Sequence, residues 1–427
     1  AGHSMELEAI GKRLRISSGS SSLAGDRLTS LPDCLIHHIM SFLKARQVVQ
    51  TCVLSTRWRH LWRSVPCLDI DQDEFKAAGS NRITEKEQED FEDFTDHLLI
   101  PNNISIALLD TLRLHVSDDE YYHRGASVRW IRHGIKYSAQ NPGIMHKESN
   151  LAFWRLKKLH LSGVYLDGSF MKHVSSGCPY LEVLELKDCP CTFEEVTSHT
   201  LKNLILENCG CNELSGITSP TLKSLTIIAS GYYNINRLVL KAPAVAYLLL
   251  DVNAYFVKRD VSFDEMSSLA KASIYLRDSV GSGLSKDQFK LLCSVSNVTT
   301  LVLSGFQTMV ISEEFPEFHN LLTLLLEKCD LTDNFQMLAN FLQHSPDLEK
   351  LTLGRCKFSK DPKKKKGKAR LSKGCLNQFN VRCKNLKLTE IIYEDDDAKK
   401  VVELLWSMSG DLPKNYIKLT KVDPDHP

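Results

Sequence analysis

The chain has 427 residues, of which 25% are charged and 43% hydrophobic, and its 53 basic and 52 acidic side chains leave a net charge of +1. Such a chain can bury a large core and has room for more than one domain, but it carries no whole-molecule field that would select nucleic acid or an anionic membrane. The longest uncharged window, 291–312, is broken by Ser, Thr, Asn and Gln and does not read as a membrane span.

The first 25 residues are basic and then Ser- and Gly-rich ("GKRLRISSGSSSLAG", 11–25). They offer too little apolar area to offset chain entropy, so a disordered head is expected over 1–25. Residues 26–67 read as three short helices. The first, in "LPDCLIHHIMSFL" (31–43), has Pro32 and Asp33 at its start, where a fixed φ and a negative charge both suit a helix N-terminus. Its apolar residues Leu31, Leu35, Ile36, Ile39, Met40, Phe42 and Leu43 cover more than the one stripe that a helix needs against its own core. A second helix is expected over about 46–53, and a third over 55–64 with Trp58, Leu61 and Trp62 on one side. Residues 68–103 are acidic and polar and read as a linker ending in a packing helix, with Phe91, Phe94 and Leu98 at helical spacing.

From 104 to 360 the pattern is a repeat. "LEVLELKDC" (181–189), "LKNLILENC" (201–209), "LLTLLLEKC" (321–329) and "LEKLTLGRC" (348–356) all fit L-x-x-L-x-L-x-x-C. This is the leucine-rich repeat, a short strand with its leucines inward and a return segment. Weaker copies start at Leu109, Leu156, Leu222, Val245 and Val298. The 47-residue step from 109 to 156 has room for a further degenerate repeat, and 251–297 reads as irregular.

Thirteen cysteines, an odd number, are read with a reducing compartment. Cysteine at the ninth repeat position (Cys189, Cys209, Cys329, Cys356) fits as a small buried group and needs no reactive chemistry. Cys189, Cys191, Cys209 and Cys211 form C-x-C…C-x-C across adjacent repeats, a thiol set of the kind that clips zinc. The repeat accounts for two of the four, and alternate residues near a turn need not converge, so the expectation is structural cysteine and no metal. The run "DPKKKKGKARLSKG" (361–374) reads as a basic surface loop. Lys363, Lys364, Lys365 and Lys366 are candidates for nuclear import, as is "GKRLR" (11–15), giving an expected localisation in nucleus and/or cytoplasm. Aromatic residues are not interleaved with the lysines, which argues against nucleic acid.

Within 26–67, Leu31-Pro32, the apolar helix ending "SFL" (41–43) and "VLSTRWRHLW" (53–62) resemble the F-box. The order of basic head, F-box and repeats is similar to plant-type F-box proteins with leucine-rich repeats, and 386–419 resembles their FBD segment, here placed in a C-terminal cap over 375–427. The resemblance implies an α/β fold, a three-helix F-box followed by a curved leucine-rich-repeat solenoid. It implies a substrate-recognition subunit of an SCF-type ubiquitin ligase, docked on a Skp-family adaptor and through it on cullin and RING subunits. The adaptor-facing residues it implies are Leu31, Pro32, Leu35, Ile39, Leu43, Val53, Leu54, Ser55 and Trp58, whereas Ile36, Phe42 and Trp62 are expected to pack on the first repeats. A protein substrate would lie on the concave strand face, at His160, Glu185, Ile205, Thr226, Leu249, Val302, Leu325 and Thr352. Lys157 and Lys158 beside His160 read as a solvated strand end rather than as an anion site. No nucleotide loop, nucleophile elbow or H-E-x-x-H motif is present, and adjacent His37 and His38 point apart on a helix, so the reading needs no catalytic residue, cofactor or metal. An adaptor-bound scaffold and a small-ligand-dependent receptor are the alternatives.

Overall fold

A computed structural model describes residues 30–80, 82–99, 108–117, 155–229, 238–253, 261–264, 266–277, 286–306, 315–332, 335–358, 384–393, 402 and 415–422. The head over 1–25 and the basic run with Lys363–Lys366 lie outside these residues.

Three short helices open the described chain: α1 (Asp33–Met40), α2 (Ala45–Gln50) and α3 (Trp58–Leu61), with single 3-10 turns at Thr51–Val53 and Trp62–Ser64. Helix α1 begins on Pro32, whose carbonyl accepts from the Leu35 N–H at 3.0 Å, and Asp33 in its first turn pairs with Arg57. It stops three residues before the expected end, because the Ser41 hydroxyl donates to the His38 carbonyl at 2.7 Å and competes with the continuing helix.

The first strand lies where a linker was expected. β1 (Cys67–Asp71) is followed by α4 (Glu85–Leu99) and pairs in parallel with β2 (Thr111–His115). The main sheet among the described residues has thirteen parallel strands. After β2 come β3 (Lys158–Ser162), β4 (Val183–Lys187), β6 (Asn203–Glu207), β8 (Ser224–Ala229) and β10 (Tyr247–Asn253). Then follow β12 (Lys271–Arg277), β13 (Thr300–Ser304), β14 (Thr323–Glu327), β15 (Lys350–Gly354), β16 (Leu388–Tyr393) and β17 (Tyr416–Lys421). β2 pairs directly with β3 over five residues, so no further rung stands between these two strands. β12 supplies a full rung inside the segment read as irregular. β16 and β17 extend the sheet as two more rungs, and Tyr416 and Leu419 on the last one are exposed.

The return segments come in two kinds. Between β4 and β12 they include short strands, β5 (Glu195–Thr197), β7 (Gly216–Thr218), β9 (Leu238–Lys241) and β11 (Val261–Asp264), which form a second parallel sheet. There the rungs advance by 20, 21, 23 and 24 residues, from Val183 to Asn203, Ser224, Tyr247 and Lys271. Helices α5 (Phe170–Gly177), α6 (Lys286–Ser294) and α7 (Gln336–His344) lie on the return paths after β3, β12 and β14. Those steps are 25, 29 and 27 residues, from Lys158 to Val183, Lys271 to Thr300 and Thr323 to Lys350. A helix rises ~1.5 Å per residue and a strand ~3.3 Å, so a helical return needs more residues for the same span.

Inward leucines make one continuous core: Leu159, Leu184, Leu204, Leu225, Leu248, Leu301, Leu324 and Leu351 are all buried. Six of the strands are followed by a residue with positive φ. Asp188, Asn208, Lys328 and Arg355 (φ 48–53°) and Gly163 and Gly305 (φ 67° and 74°) share this position. Each keeps the ladder going by donating its N–H to the next rung, as Asp188 does to the Glu207 carbonyl at 2.8 Å and Lys328 to Gly354 at 2.7 Å. The left-handed residue turns the following side chain inward. After Gly163 and Gly305 that side chain is Val164 and Phe306, both buried; in the other four rungs it is the repeat cysteine, whose thiol donates to a carbonyl of the preceding rung: Cys189 to Leu161 at 3.4 Å, Cys209 to Leu186 at 3.2 Å, Cys329 to Leu303 at 3.5 Å and Cys356 to Leu326 at 3.3 Å.

At Gly305 a Cβ would fall 2.1 Å from the Leu276 carbonyl oxygen. Gly305→Ala should therefore cost at least ~2 kcal/mol of stability, whereas Lys328→Gly, which relieves a left-handed side chain, should add about 1 kcal/mol. Equilibrium urea unfolding reads both; shifts of the same sign would contradict the turn assignment.

Candidate functional site

Two apolar stripes run along α1, and they have different fates. Ile36 and Met40, at i and i+4, are fully buried with Val48, Trp58 and Val65 in a small cluster. Leu35 and Ile39, at i and i+4, share another face about 100° away; they and Phe42, two residues beyond the helix end, are 47%, 41% and 76% exposed. Val53 and Leu54, at the end of the second helical segment, are 79% and 55% exposed. Of the ten exposed large hydrophobic side chains among the described residues, five thus lie between Leu35 and Leu54. Concentration of this kind marks a binding surface, since scattered single residues need no explanation and a cluster does.

The other residues implicated by sequence divide as follows. Pro32 is exposed, and Leu31 and Leu43 are half-buried against the small cluster. Trp58 is not a free anchor: it is 3% exposed and packs beneath α1, with its indole Nε1 lacking a hydrogen-bond partner. Ser55 is half-buried and its hydroxyl accepts from the N–H of Trp58, the first residue of α3, at 3.4 Å. Phe42 corrects the expectation in the other direction. It lies past the end of α1, stacks edge-on against His38 with ring centroids 5.0 Å apart, and is the second most exposed of the five. Ile36 is buried as expected, but in the small cluster rather than on the repeats, while Trp62 touches both that cluster and the main core. The paired histidines do point apart: His37 Nε2 lies 3.2 Å from the Leu61 carbonyl, and His38 is exposed.

The helical front end is fixed to the first rung. Lys44 Nζ bridges Asp69 and Asp71 on β1 at 3.1 and 2.8 Å. Burial works against its charge, yet the hydrogen bonds that it donates to Asp71 and Asp69 hold its pKa above the ordinary lysine value. Arg46 donates to the Glu74 carbonyl at 2.5 Å and lies over the Phe75 ring, and Ala45 belongs to the main core.

The open face of the main sheet presents one central column. Register aligns Asp69, Arg113, His160, Glu185, Ile205, Thr226 and Leu249. It continues through Ser273, Val302, Leu325, Thr352, Glu390 and Lys418. All eight residues expected on this face fall in it. His160 Nδ1 meets Glu185 at 2.6 Å at one end, and Lys418 meets Glu390 at 2.7 Å at the other. Ile205, Thr226, Leu249, Val302 and Leu325 between them are uncharged and half-buried. Thr352 is corrected: at 5% exposure beside the Lys350–Glu390 pair it presents almost no surface. Sequence reasoning missed Ser273 because its rung lacks the leucine pattern and Asp69 because β1 was not read as a strand; Arg113 lies on the weak copy that starts at Leu109 but was left out of the expected face. Lys157 and Lys158 are exposed, as a solvated strand end should be.

The cysteines also differ from expectation. Burial pushes the Cys178 thiol up to about 12 and those of Cys189 and Cys191 well above the usual range. Cys209 goes the other way, because contacts from Cys189, Cys191 and Cys211 draw its pKa down. The two C-x-C segments converge after all.

Residues 28–69 match the F-box domain. The chain carries an F-box domain followed by a leucine-rich-repeat solenoid. Residues 126–249 match the family described as the leucine-rich repeats of FBD-associated F-box protein At5g56370. The chain is 28% identical over 429 residues to the meiotic F-box protein MOF of Oryza sativa subsp. japonica, covering 94% of this chain and 86% of that one. It is 26% identical over 368 residues to the putative F-box/FBD/LRR-repeat protein At5g44950 of Arabidopsis thaliana (77% and 78%). It is 28% identical over 390 residues to F-box/FBD/LRR-repeat protein At5g22700 of the same plant (77% and 79%). The F-box match ends inside β1, so the F-box and the first rung share residues 67–69.

Because Trp58 holds the F-box together, Trp58→Ala should destabilise it by about 3–5 kcal/mol, while Val53→Asp at an exposed site should change stability by less than ~0.5 kcal/mol. Thermal unfolding of the two variants, with F-box melting followed by Trp fluorescence, distinguishes them; a neutral Trp58→Ala would contradict its placement in the cluster.

Proposed function

We propose that this protein is a substrate-recognition subunit of an SCF-type ubiquitin ligase. The observation that carries the reading is the uncovered apolar surface of the F-box: Leu35 and Ile39 on one face of α1, Phe42 just beyond its end, and Val53 and Leu54 following α2. F-box domains bind Skp-family adaptors, and an apolar stripe at helical spacing suits a hydrophobic groove on such a partner. Cullin and RING subunits would follow through the adaptor.

The open sheet face is the substrate surface in this reading. Its half-buried apolar centre, flanked by ion pairs, has the layout of a protein interface, with an apolar core inside a polar rim. The protein itself performs no chemistry. It raises the local concentration of substrate beside the ubiquitin-conjugating machinery, and the Lys44 bridges to Asp69 and Asp71 keep the face in a fixed relation to the adaptor. Lys363–Lys366 are proposed as a nuclear address.

Pull-down of a Skp-family adaptor tests the reading. Val53→Asp with Phe42→Asp should reduce capture at least tenfold (about 1.4 kcal/mol or more), and Leu31→Ala with Pro32→Ala should weaken it too, with the repeats folded in each case. Cullin should co-purify with the wild-type complex. Unchanged adaptor capture by the double aspartate variant would overturn the assignment, and adaptor binding without cullin would indicate a scaffold instead.

A further inference from the structure

Two of the buried cysteines in the middle rungs are explained by the repeat, and two are not. Cys189 and Cys209 hold the inward position that Cys329 and Cys356 hold elsewhere. Two residues further on, the other rungs fill the interior with Leu166, Leu331 and Phe358, all buried. Two consecutive rungs place Cys191 and Cys211 there instead. A thiol fills much less space than leucine or phenylalanine, so core packing alone does not account for a pair of them.

The backbone brings the four together. Pro190 and Gly210 form a parallel bridge, which stacks Cys189 on Cys209 and Cys191 on Cys211 with all four directed inward. In the second of these rungs the Cys211 N–H donates to the Cys209 carbonyl at 2.8 Å. This i→i+2 turn folds Cys211 back toward Cys209. The Sγ atoms of Cys191, Cys209 and Cys211 consequently lie within 4.8 Å of one another, and Cys189 stacks on Cys209 across the Pro190–Gly210 bridge. Zinc–thiolate bonds of ~2.3 Å set sulfur atoms roughly 3.8 Å apart on a tetrahedron, which small side-chain rotations reach from this arrangement. None of the four is in a disulfide.

We propose that Cys191, Cys209 and Cys211, with Cys189 as the fourth donor, form a structural site for zinc that staples two consecutive rungs of the solenoid. Sulfur-only ligation selects a thiophilic ion over magnesium or calcium, and four protein donors leave no open position for catalysis. On binding, each thiol releases its proton to solvent as the thiolate bonds to the ion. The thiols of Cys189, Cys191 and Cys209 then give up their contacts to the carbonyls of Leu161, Cys189 and Leu186. Exposed Pro190 and Asn212, in the same turns, place the sulfurs just below the surface, so the ion enters without the rungs opening. The stapled rungs carry Glu185 and Ile205 on the open face, but the site stands independently of what that face binds.

The test is metal analysis of the full chain, co-purified with a Skp-family adaptor under reductant and passed through gel filtration. The wild type should retain about one zinc per chain. Cys191→Ser with Cys211→Ser should lower this at least tenfold, while Cys329→Ser with Cys356→Ser, at repeat cysteines without C-x-C partners, should leave it unchanged. Should the first pair fail to fold, titration of metal-free wild type with Co²⁺ decides: a thiolate-to-cobalt charge-transfer band should saturate at about one equivalent and vanish on adding zinc. Wild type without retained zinc and without that band, or zinc retained equally by the Cys191/Cys211 variant, would overturn the proposal.

Discussion

Helix α1 carries two apolar stripes, and this chain covers only one of them. Ile36 and Met40 complete a small cluster with Val48, Trp58 and Val65, which is enough to hold three short helices together. Leu35, Ile39 and Phe42 remain in water beside Val53 and Leu54. Exposed apolar area has a free-energy cost of about 25 cal/mol per Å² that only a partner can recover. The front end is therefore complete as a fold and incomplete as a surface, and the functional reading follows from that difference.

The solenoid converts this local feature into a directed one. Parallel pairing without a slip from β1 to β17 places one residue of every rung in a single central column. Since β1 belongs both to that sheet and to the stretch matching the F-box, the docking helices and the open face are parts of one continuous structure rather than beads on a linker. Lys44, Arg46 and Ala45 reinforce the junction.

Where a residue's role is set by period, it was legible from sequence. Four copies of L-x-x-L-x-L-x-x-C place the strands, the inward leucines and the buried cysteines, and the alternate residues between the leucines fall on the open face. Legibility failed where tertiary context outweighs local pattern. "CLDID" (67–71) has only two inward apolar residues in an acidic setting, so β1 becomes visible only through its pairing with β2. "KASIYLR" (271–277) replaces the leucines with Ala272 and Ile274 and hides β12. Trp58 and Phe42 exchanged roles for a simple reason. The resemblance marks the motif without telling which aromatic faces the cluster, and the end of α1 at Met40, set by Ser41, turns Phe42 out to solvent. The meeting of Cys191, Cys209 and Cys211 depends on the tight turn at 209–211, which no spacing rule contains.

The central claim is that residues 33–54 meet a Skp-family adaptor while the strand face stays open. Hydrogen–deuterium exchange of the full chain, alone and in complex with the adaptor, tests it most directly. The account predicts that slowed exchange on complex formation is confined to α1, α2 and the turn at Thr51–Val53, with the strands from β3 to β15 unchanged. Slowing centred on the main sheet, or none over 33–54, would contradict it.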